Sequence, residues 1–225
     1  YFTYRLELDT TFELPLRKAI FYERGGHSAI YSAGSEDAER YLKKAVSLFE
    51  NLGRSERAQR NRNRLALLYT LTGQYEAAAL LYEQLYYSLE TSRDWREKEK
   101  ASRNVAYNLY LMEDYENSLV WSRRAAAYLE ERDIEYTPSK SNKLRVVILG
   151  LSIPVWSMEE IGGSSAAGFS DAEEAAMVSG IISKSYENLK LFREALAYEK
   201  KRFAIFKDIE DILARRISLT RIGRL

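Results

Sequence analysis

At 225 residues, 46% apolar and 30% charged, the chain can bury a sizeable core and is too apolar for intrinsic disorder. Its 34 basic and 33 acidic side chains nearly cancel, which gives no general attraction to nucleic acid or to an anionic membrane surface. Cysteine is absent, which excludes disulfides, thiolate metal sites and a cysteine nucleophile.

The first predicted pair of helices follows a segment with little pattern. Residues 1–14 alternate only weakly between apolar and polar, and Pro15 suits the first turn of a helix. We predict a helix over 16–31, with Gly25-Gly26 as a candidate break within it. The second helix of this hairpin carries an apolar stripe formed by Ala38, Leu42, Ala45, Leu48 and Phe49.

The second and third hairpins have the clearest periodicity. Over 60–72, Leu65, Leu68 and Tyr69 recur at spacings of three and four, and Gly73 ends the pattern. A second stripe follows at once, made of Tyr75, Ala78, Ala79, Tyr82, Leu85 and Leu89. Two helices joined by so short a turn pack antiparallel. The same pair of stripes returns over 105–110 and 115–129.

The segment 137–170 interrupts this regularity. The run 146–149 is rich in β-branched residues, Pro154 forbids an uninterrupted helix, and 162–168 is a glycine-rich segment that we expect to be a flexible connector. Ser170 and Glu173 then have the spacing of a capping box at a helix start. We predict helices over 171–189 and from 192 to about 208, and a last helix that begins near 211 and reaches Ile222-Gly223.

A fixed repeat unites these hairpins. The turn segment 73–78 is matched 40 positions later by 113–118, 40 positions earlier by 34–38, and again by 190–195. In each copy a small residue lies where the two helices cross, namely Ala38, Ala78, Ser118 and Ala195. A period of this size predicts an all-α, right-handed superhelical solenoid of antiparallel helix hairpins. We interpret residues 1–225 as one such solenoid within a longer protein, with an irregular interruption at 137–170.

The repeat resembles that of the tetratricopeptide repeat (TPR) family. The match is carried by Leu65-Ala66, Tyr69, Gly73, Tyr75, Ala78 and Tyr82, more loosely by the following hairpin, and by Ile222-Gly223. The usual period of the family is about 34 residues, so each helix here is expected to be nearly one turn longer. In this respect the chain is similar to the long repeats of bacterial regulators and of large bacterial assembly proteins.

The resemblance implies a binding site on the concave face, which the first helices of the hairpins line. The family positions that often touch ligand correspond here to Arg60, Asn63 and Arg64 in one repeat and to Lys100, Arg103 and Asn104 in the next. Cations beside an amide suit a carboxylate, because Arg offers paired donors, and the set is similar to the family's carboxylate clamp in a different order. The alternative, ordinary charges on a solvated helix face, stays open.

Two tyrosines extend this predicted site. Tyr107 and Tyr110 fall on inward positions of the third hairpin, and Leu67 and Leu71 on those of the second. A groove with aromatic walls and cationic patches suits an extended or helical peptide. The alternative is that the tyrosines pack between helices.

No constellation of residues indicates catalysis. His27 is the only histidine, and no spacing brings carboxylates to it for metal binding or general base chemistry. The glycine-rich segment 162–168 lacks the Gly-Lys-Ser/Thr ending of a phosphate-binding loop, and no nucleophile-elbow motif occurs. We therefore predict no catalytic residues, no cofactor and no metal site.

Two functional hypotheses remain. The first is a non-enzymatic scaffold that binds a peptide or protein partner, acidic or with a free carboxylate, on its concave face. The second is a peptide- or ligand-sensing segment of a larger signalling or transcription regulator. Nucleic acid and membrane insertion are not expected, because the net charge is near zero and no apolar run or signal peptide is visible. The compartment, cytoplasmic or periplasmic, and the oligomeric state are left open.

Overall fold

The computed structural model describes residues 15–30, 35–89, 94–130, 145–148, 151–154, 171–208 and 212–225. These residues form helices α1 (Pro15–Ile30), α2 (Ser35–Asn51), α3 (Ser55–Leu71), α4 (Tyr75–Ser88), α5 (Trp95–Leu111), α6 (Tyr115–Glu130), α7 (Asp171–Asn188), α8 (Phe192–Asp208) and α9 (Ile212–Ile222). Two short strands, β1 (Arg145–Ile148) and β2 (Leu151–Pro154), lie between α6 and α7.

The helices pack as consecutive hairpins. The pairs α1–α2, α3–α4, α5–α6 and α7–α8 form hairpins, and α2 also packs on α3, α6 on α7 and α8 on α9. We call α1, α3, α5, α7 and α9 the first helices and the others the second helices. Two successive first helices touch each other in α1–α3 and in α5–α7. The prediction of an all-α solenoid of antiparallel hairpins is confirmed.

The four small residues of the repeat are fully buried, as their register predicts. Ala38, Ala78, Ser118 and Ala195 each have 0% of their surface exposed. In the third hairpin the Ser118 Oγ also donates to the carbonyl oxygen of Ala106 on the first helix, at 2.8 Å. That bond shows how closely the two backbones approach, and a larger side chain at this register would force them apart.

Three hairpin turns share one backbone motif. Gly73, Glu113 and Lys190, each five residues before the small residue, have positive φ angles of 79°, 63° and 60°. In each turn the next amide donates back to the third-last helical carbonyl; in the second hairpin Gln74 N reaches Tyr69 O at 2.8 Å. This is the Schellman arrangement that ends a helix and satisfies its last carbonyls. The turn therefore repeats even where glycine does not.

The expected break at Gly25-Gly26 is wrong, because α1 continues through both glycines. Their role is close packing. A Cβ at Gly26 would lie 2.8 Å from Leu42 Cγ, and one at Gly25 would lie 3.1 Å from Tyr41 Cδ2. A side chain at Gly26 would thus clash with α2, and one at Gly25 would force the Tyr41 ring to shift, so the helix tolerates the modest loss of helix propensity.

The interruption contains a small antiparallel ribbon. In it Arg145 pairs with Pro154 and Ile148 with Leu151, and β2 lies against α7. Val146, Val147 and Ile148 of the β-branched run, and the proline that argued against a helix here, belong to this ribbon. The N-terminal segment 1–14, the glycine-rich segment 162–168 and the predicted N-cap Ser170 lie outside the described residues.

The chain divides into two compact units, of which unit 1 ends at Ser88 and unit 2 begins at Leu89. Unit 1 contains a core cluster of Ala19, Tyr22, Tyr41, Ala45, Phe49 and Ala58. Unit 2 contains a core cluster formed by Leu119, Ala125, Leu129, Val178, Ile182, Tyr186 and Ala195. That both units belong to a single continuous solenoid remains a prediction. Among the described helices, none combines the length and the apolar character needed to cross a membrane.

Candidate functional site

The predicted binding residues of unit 1 lie on α3 and differ in their exposure to solvent. Arg60 is exposed and its Nη2 lies 3.2 Å from Glu56 Oε1, one turn earlier on the same helix. Asn63 is exposed as well. Arg64 is mostly buried, and its Nη1 donates to Glu23 Oε1 of α1 at 3.0 Å. Arg60 and Asn63 therefore face solvent, whereas Arg64 joins two first helices.

Arg64 belongs to a polar group that we call the Glu23 cluster, formed by Glu23, Arg57, Asn61 and Arg64. Glu23 Oε1 accepts from the Asn61 Nδ2 at 3.1 Å as well as from Arg64, and its Oε2 accepts from the Arg57 Nη1 at 3.4 Å. Asn61 is fully buried. His27 lies near this cluster, where burial first and the Arg64 charge second lower its pKa, and Glu23 opposes them. One carboxylate is thus satisfied by three donors.

A cavity of about 460 Å³ opens beside Arg60 at the first turn of α3. Its walls are formed by Leu16, Ile20, Gly53, Arg54, Ser55, Glu56, Arg57 and Arg60. No side chain caps the start of α3, whereas Asp94 caps α5 by accepting from two backbone amides. The cavity is therefore lined by three arginines, by the Glu56 carboxylate that pairs with Arg60, and by the apolar residues Leu16 and Ile20.

The predicted residues of unit 2 lie on α5, and most of them make internal contacts. The Arg103 Nε donates to the fully buried Glu99 Oε1 at 2.8 Å, and its Nη2 lies 3.5 Å from Glu174 Oε1 of α7. Lys100 is partly exposed and lies 3.4 Å from Glu97. Asn104 is half-buried, and its carbonyl oxygen accepts from the Asn108 Nδ2 at 2.8 Å. Arg103, like Arg64, therefore joins two first helices.

The two predicted tyrosines are half-buried. The Tyr110 ring centroid lies 5.7 Å from that of Tyr115, across the hairpin turn. Burial, the largest effect, raises the pKa of the Tyr110 phenol. Tyr110 thus packs partly within its hairpin, as the alternative interpretation held, while part of its ring stays accessible.

Sequence reasoning missed a largely buried group of charged side chains in unit 2, which we call the Arg202 cluster: Lys184, Glu187, Glu199, Arg202 and Arg221. Glu199 is fully buried and lies 3.2 Å from the Arg202 Nη1 and 3.1 Å from the Arg221 Nε. The Arg221 Nη2 lies 2.6 Å from Glu187 Oε2. The cluster therefore links α7, α8 and α9 through two carboxylates that share two guanidinium groups.

Lys184 lies at the edge of this cluster and is 6% exposed. Its Nζ lies 6.0 Å from the centroid of the Tyr110 ring, within range of a cation–π interaction. Burial, followed by the charges of Arg221 and Arg202, lowers the pKa of Lys184 to about 8, although Glu187 and Glu199 work in the opposite direction.

The 40-residue register did contain a signal for this cluster. At the position seven residues after the small residue, the other hairpins have Ala45, Leu85 and Ala125, and this hairpin has Arg202. A long cation at a position that faces the core needs a buried carboxylate, and Glu199 lies three residues earlier. In the described ranges, no group of three His, Cys, Asp or Glu side chains is placed to hold a metal ion.

Taken together, the hairpins, the buried small residues and the repeated turn define a TPR-like helical-repeat protein. No family model matches the chain, and no curated protein does. Solved structures do share its fold. A set of nearly identical TPR-like repeats from a Podosopora anserina kinesin light chain gives a TM-score of 0.63 at 14% identity, over 94% of this chain and 86% of that one.

Two further solved structures share the fold over more than nine tenths of this chain. The apo form of RapI gives a TM-score of 0.65 at 13% identity, over 92% of this chain and 62% of RapI. Aspartyl phosphate phosphatase F from Bacillus subtilis gives a TM-score of 0.62 at 15% identity, over 94% of this chain and 45% of the phosphatase. The chain thus spans less than two thirds of either protein.

Proposed function

We propose that this chain is a non-enzymatic interaction scaffold that binds a peptide or protein segment on the inner face of its first helices. The TPR-like fold supports this proposal, because arrays of such hairpins present extended concave surfaces suited to partners. The polar side chains of α3 and α5 support it as well, since Arg60, Asn63 and Lys100 keep access to solvent.

The cavity at the start of α3 is the observation that carries the proposal. Arg54, Arg57 and Arg60 line it together with Glu56 and the apolar residues Leu16 and Ile20. An acidic group can bind the exposed Arg54 and Arg60, since Arg57 already pairs with Glu23, while a neighbouring apolar side chain covers the two aliphatic residues. Hydrogen bonds to charged groups contribute about 1.5 to 3 kcal/mol each before ordering costs. The chemistry therefore suits an acidic or carboxylate-bearing peptide.

The ion pairs divide the predicted binding residues into two roles. Arg64 and Arg103 hold successive first helices together through Glu23 and Glu174, so their guanidiniums are already engaged. We assign direct recognition to Arg60 and Asn63 in unit 1 and to Lys100 and the accessible parts of Asn104, Tyr107 and Tyr110 in unit 2. Arg64 and Arg103 act by positioning the helices that carry these groups.

The second candidate function is a sensing segment within a larger regulator. It is favoured by the coverage of RapI and of aspartyl phosphate phosphatase F, because each contains a substantial length of chain beyond the part that matches. In the full-length protein, a peptide that binds the first helices would then change the activity of a flanking domain. The scaffold proposal predicts binding without such a change.

The name of the phosphatase suggests a direct check of the non-enzymatic proposal. We expect no release of phosphate when the chain is incubated with a protein that carries an aspartyl phosphate, measured against spontaneous hydrolysis. Release in proportion to the chain's concentration would contradict the proposal that it is not an enzyme.

The binding proposal is tested by selecting peptides from a displayed random library on the whole chain and measuring their affinity by fluorescence anisotropy. We expect enrichment of acidic residues beside an apolar one. Arg60→Glu should weaken binding of the selected peptides by roughly 10- to 100-fold, because one charge-assisted bond is lost. The matched control is Arg40→Glu, an exposed arginine of the second helix α2 that pairs with Asp37 on the same helix at 2.6 Å. Equal binding by both variants would contradict the assignment to the cavity.

A further inference from the structure

The inner face of α7, the side that carries the register positions of the predicted binding residues, is closed to solvent. The repeat register places Ile181 and Lys184 of α7 where α5 has Asn104 and Tyr107. Asn104 and Tyr107 are half-buried, whereas Ile181 is 3% exposed and Lys184 is 6% exposed. Gly180, beside Ile181, is buried as well. The inner face of α7 is therefore covered where that of α5 remains accessible.

The helices that pack on α7 do not by themselves explain this burial. α7 packs on the preceding second helix α6, on its own second helix α8 and on the preceding first helix α5. In unit 1, α3 has the same three kinds of neighbour, namely α2, α4 and α1. On α3, however, Asn63 at the register of Gly180 is exposed, and Leu67 at the register of Lys184 is half-buried. A further element must therefore cover α7.

Strand β2 is that further element. Among the described elements, β2 is a neighbour that α7 has and α3 lacks. Helix α9 also reaches α7, but it does so where Arg221 pairs with Glu187, near the end of α7. The ribbon is thus left to cover the middle of α7, where Gly180 and Ile181 lie. Gly180 has no side chain that would hold a covering segment away from the helix.

We propose that the β1–β2 ribbon is an internal lid on the inner face of α7, and that its displacement opens this face to an extended, apolar segment of a partner. Met177, Gly180 and Ile181 give the covered face apolar and small residues, unlike the arginines of α3. β2 is itself extended, which is the form that a partner segment would adopt there. The inference rests on the proposed function only in treating the inner side of first helices as a binding face.

A ribbon of two strands can leave the helix without unfolding it. Two-stranded ribbons are marginally stable on their own in water, so β1 and β2 depend on the packing of β2 against α7. Residues 131–144 and 155–170 connect the ribbon to α6 and α7. Each connection can span about 45 Å when extended, at roughly 3.3 Å per residue. Displacement of the ribbon therefore requires no change in either helix.

The test uses the absence of cysteine from the chain, because any cysteine that is introduced becomes the only thiol. Ile181→Cys, Asn104→Cys and Ile182→Cys are each made in the whole chain, and their rates of labelling by a thiol-reactive dye are compared. Ile182 adjoins Ile181 on α7 but is fully buried in the core of unit 2.

We expect Asn104→Cys to react fastest, Ile181→Cys more slowly through opening of the lid, and Ile182→Cys most slowly, with about 10-fold between successive rates. If Ile181→Cys reacts as fast as Asn104→Cys, its face is not covered. If it reacts as slowly as Ile182→Cys, the cover does not open. Either result would overturn the proposal.

Val146→Pro shows whether the ribbon is the cover. Proline cannot donate a backbone hydrogen bond and disrupts the pairing of Val146 with Ile153. We expect it to accelerate labelling of Ile181→Cys by about 10-fold or more and to leave Ile182→Cys slow. Equal acceleration at both positions, or none at Ile181→Cys, would contradict the proposal. Circular dichroism checks the helices, and the three rates with the ribbon unaltered test the lid even if this variant does not fold.

Selection from a displayed random peptide library separates the lid from the face that it covers. The library is selected in parallel on the Val146→Pro chain and on the unaltered chain. We expect the variant to enrich apolar peptides that the unaltered chain does not, and these peptides should protect Ile181→Cys from the dye. Their absence would overturn the claim that the covered face binds a partner. Because thiol labelling needs no peptide, the lid and the peptide site near Arg60 can succeed or fail separately.

Discussion

Within each unit a group of charged side chains connects two first helices, and the two groups differ in how deeply they are buried. In unit 1 a single carboxylate, Glu23, lies among Arg57, Asn61 and Arg64, and the arginine side chains keep 39% and 21% of their exposure. In unit 2, Glu199 and Arg202 are almost completely buried, and Lys184 adds a further cation. The same fold thus contains one solvent-screened cluster and one buried cluster. The difference shows that the repeat determines which apolar and small residues are buried, whereas the polar contacts can differ from one hairpin to the next.

The largest expected effect comes from the buried cluster. Glu199→Gln removes the carboxylate between Arg202 and Arg221 and leaves both guanidiniums without that partner. We expect a loss of about 3 to 5 kcal/mol in the free energy of unfolding, because one member of a buried ion pair is left uncompensated. Urea unfolding followed by circular dichroism measures it. A loss below about 1 kcal/mol, the level of an exposed ion pair, would mean that the cluster is solvated.

The helix crossings should behave alike in both units. Ala78→Leu and Ala195→Leu each place a larger side chain at a fully buried crossing. We expect each to reduce the free energy of unfolding by about 1 to 3 kcal/mol through overpacking. Thermal unfolding provides the comparison. An unchanged midpoint for either variant would show that its crossing has room to spare.

The exposed cluster should tolerate the equivalent change better. In Glu23→Gln the carboxylate that joins α1 to α3 is neutralised, while water still reaches Arg57 and Arg64. We expect a loss of about 1 to 2 kcal/mol, because hydrogen bonds to a charged acceptor are weakened but no charge is stranded in the core. Urea unfolding under the conditions used for Glu199→Gln gives the value. A loss as large as that of Glu199→Gln would remove the contrast between the two clusters.

The smallest expected effect is a gain in stability at the turns. Glu113 and Lys190 occupy the left-handed region that Gly73 occupies in the second hairpin. Glu113→Gly and Lys190→Gly should each raise the free energy of unfolding by about 0.4 to 1 kcal/mol, since relief of the strain exceeds the entropy that glycine adds to the unfolded chain. Gly73→Ala should have the opposite sign. If all three changes destabilise the protein, side-chain contacts at the turns outweigh backbone strain.

Periodicity was sufficient to predict the fold, because the spacing of apolar and small residues within each helix determines which of its faces is buried. The small residues Ala38, Ala78 and Ser118 recur at one spacing, and a helix crossing needs such a residue wherever it falls. The turns follow from the same register. Gly25-Gly26 was misinterpreted because glycine ends a helix or admits a close neighbour with equal ease, and only the position of Leu42 shows which role applies.

The candidate site was less predictable, because its contacts join distant positions. Arg64 meets Glu23 across 41 residues, and Arg221 meets Glu199 across 22. Helical register indicated that Arg64 faces inward, but it gave no information on the carboxylate that engages it. Arg202 could be detected because the equivalent position of the other hairpins holds alanine or leucine. Nothing in the sequence pattern distinguished Lys184 from an exposed helical lysine.

The pKa of Lys184 tests most directly the claim that unit 2 contains a buried group of charged side chains. Burial beside Arg221 and Arg202 lowers it from the ordinary 10.5 to about 8, so the unfolded chain binds more protons between these values. Stability should therefore rise with pH over that window in the unaltered protein, relative to Lys184→Met. We predict that Lys184 titrates by NMR with a midpoint near 8, well below the other lysines. A midpoint above 10, with no difference in pH dependence between the two proteins, would contradict the account.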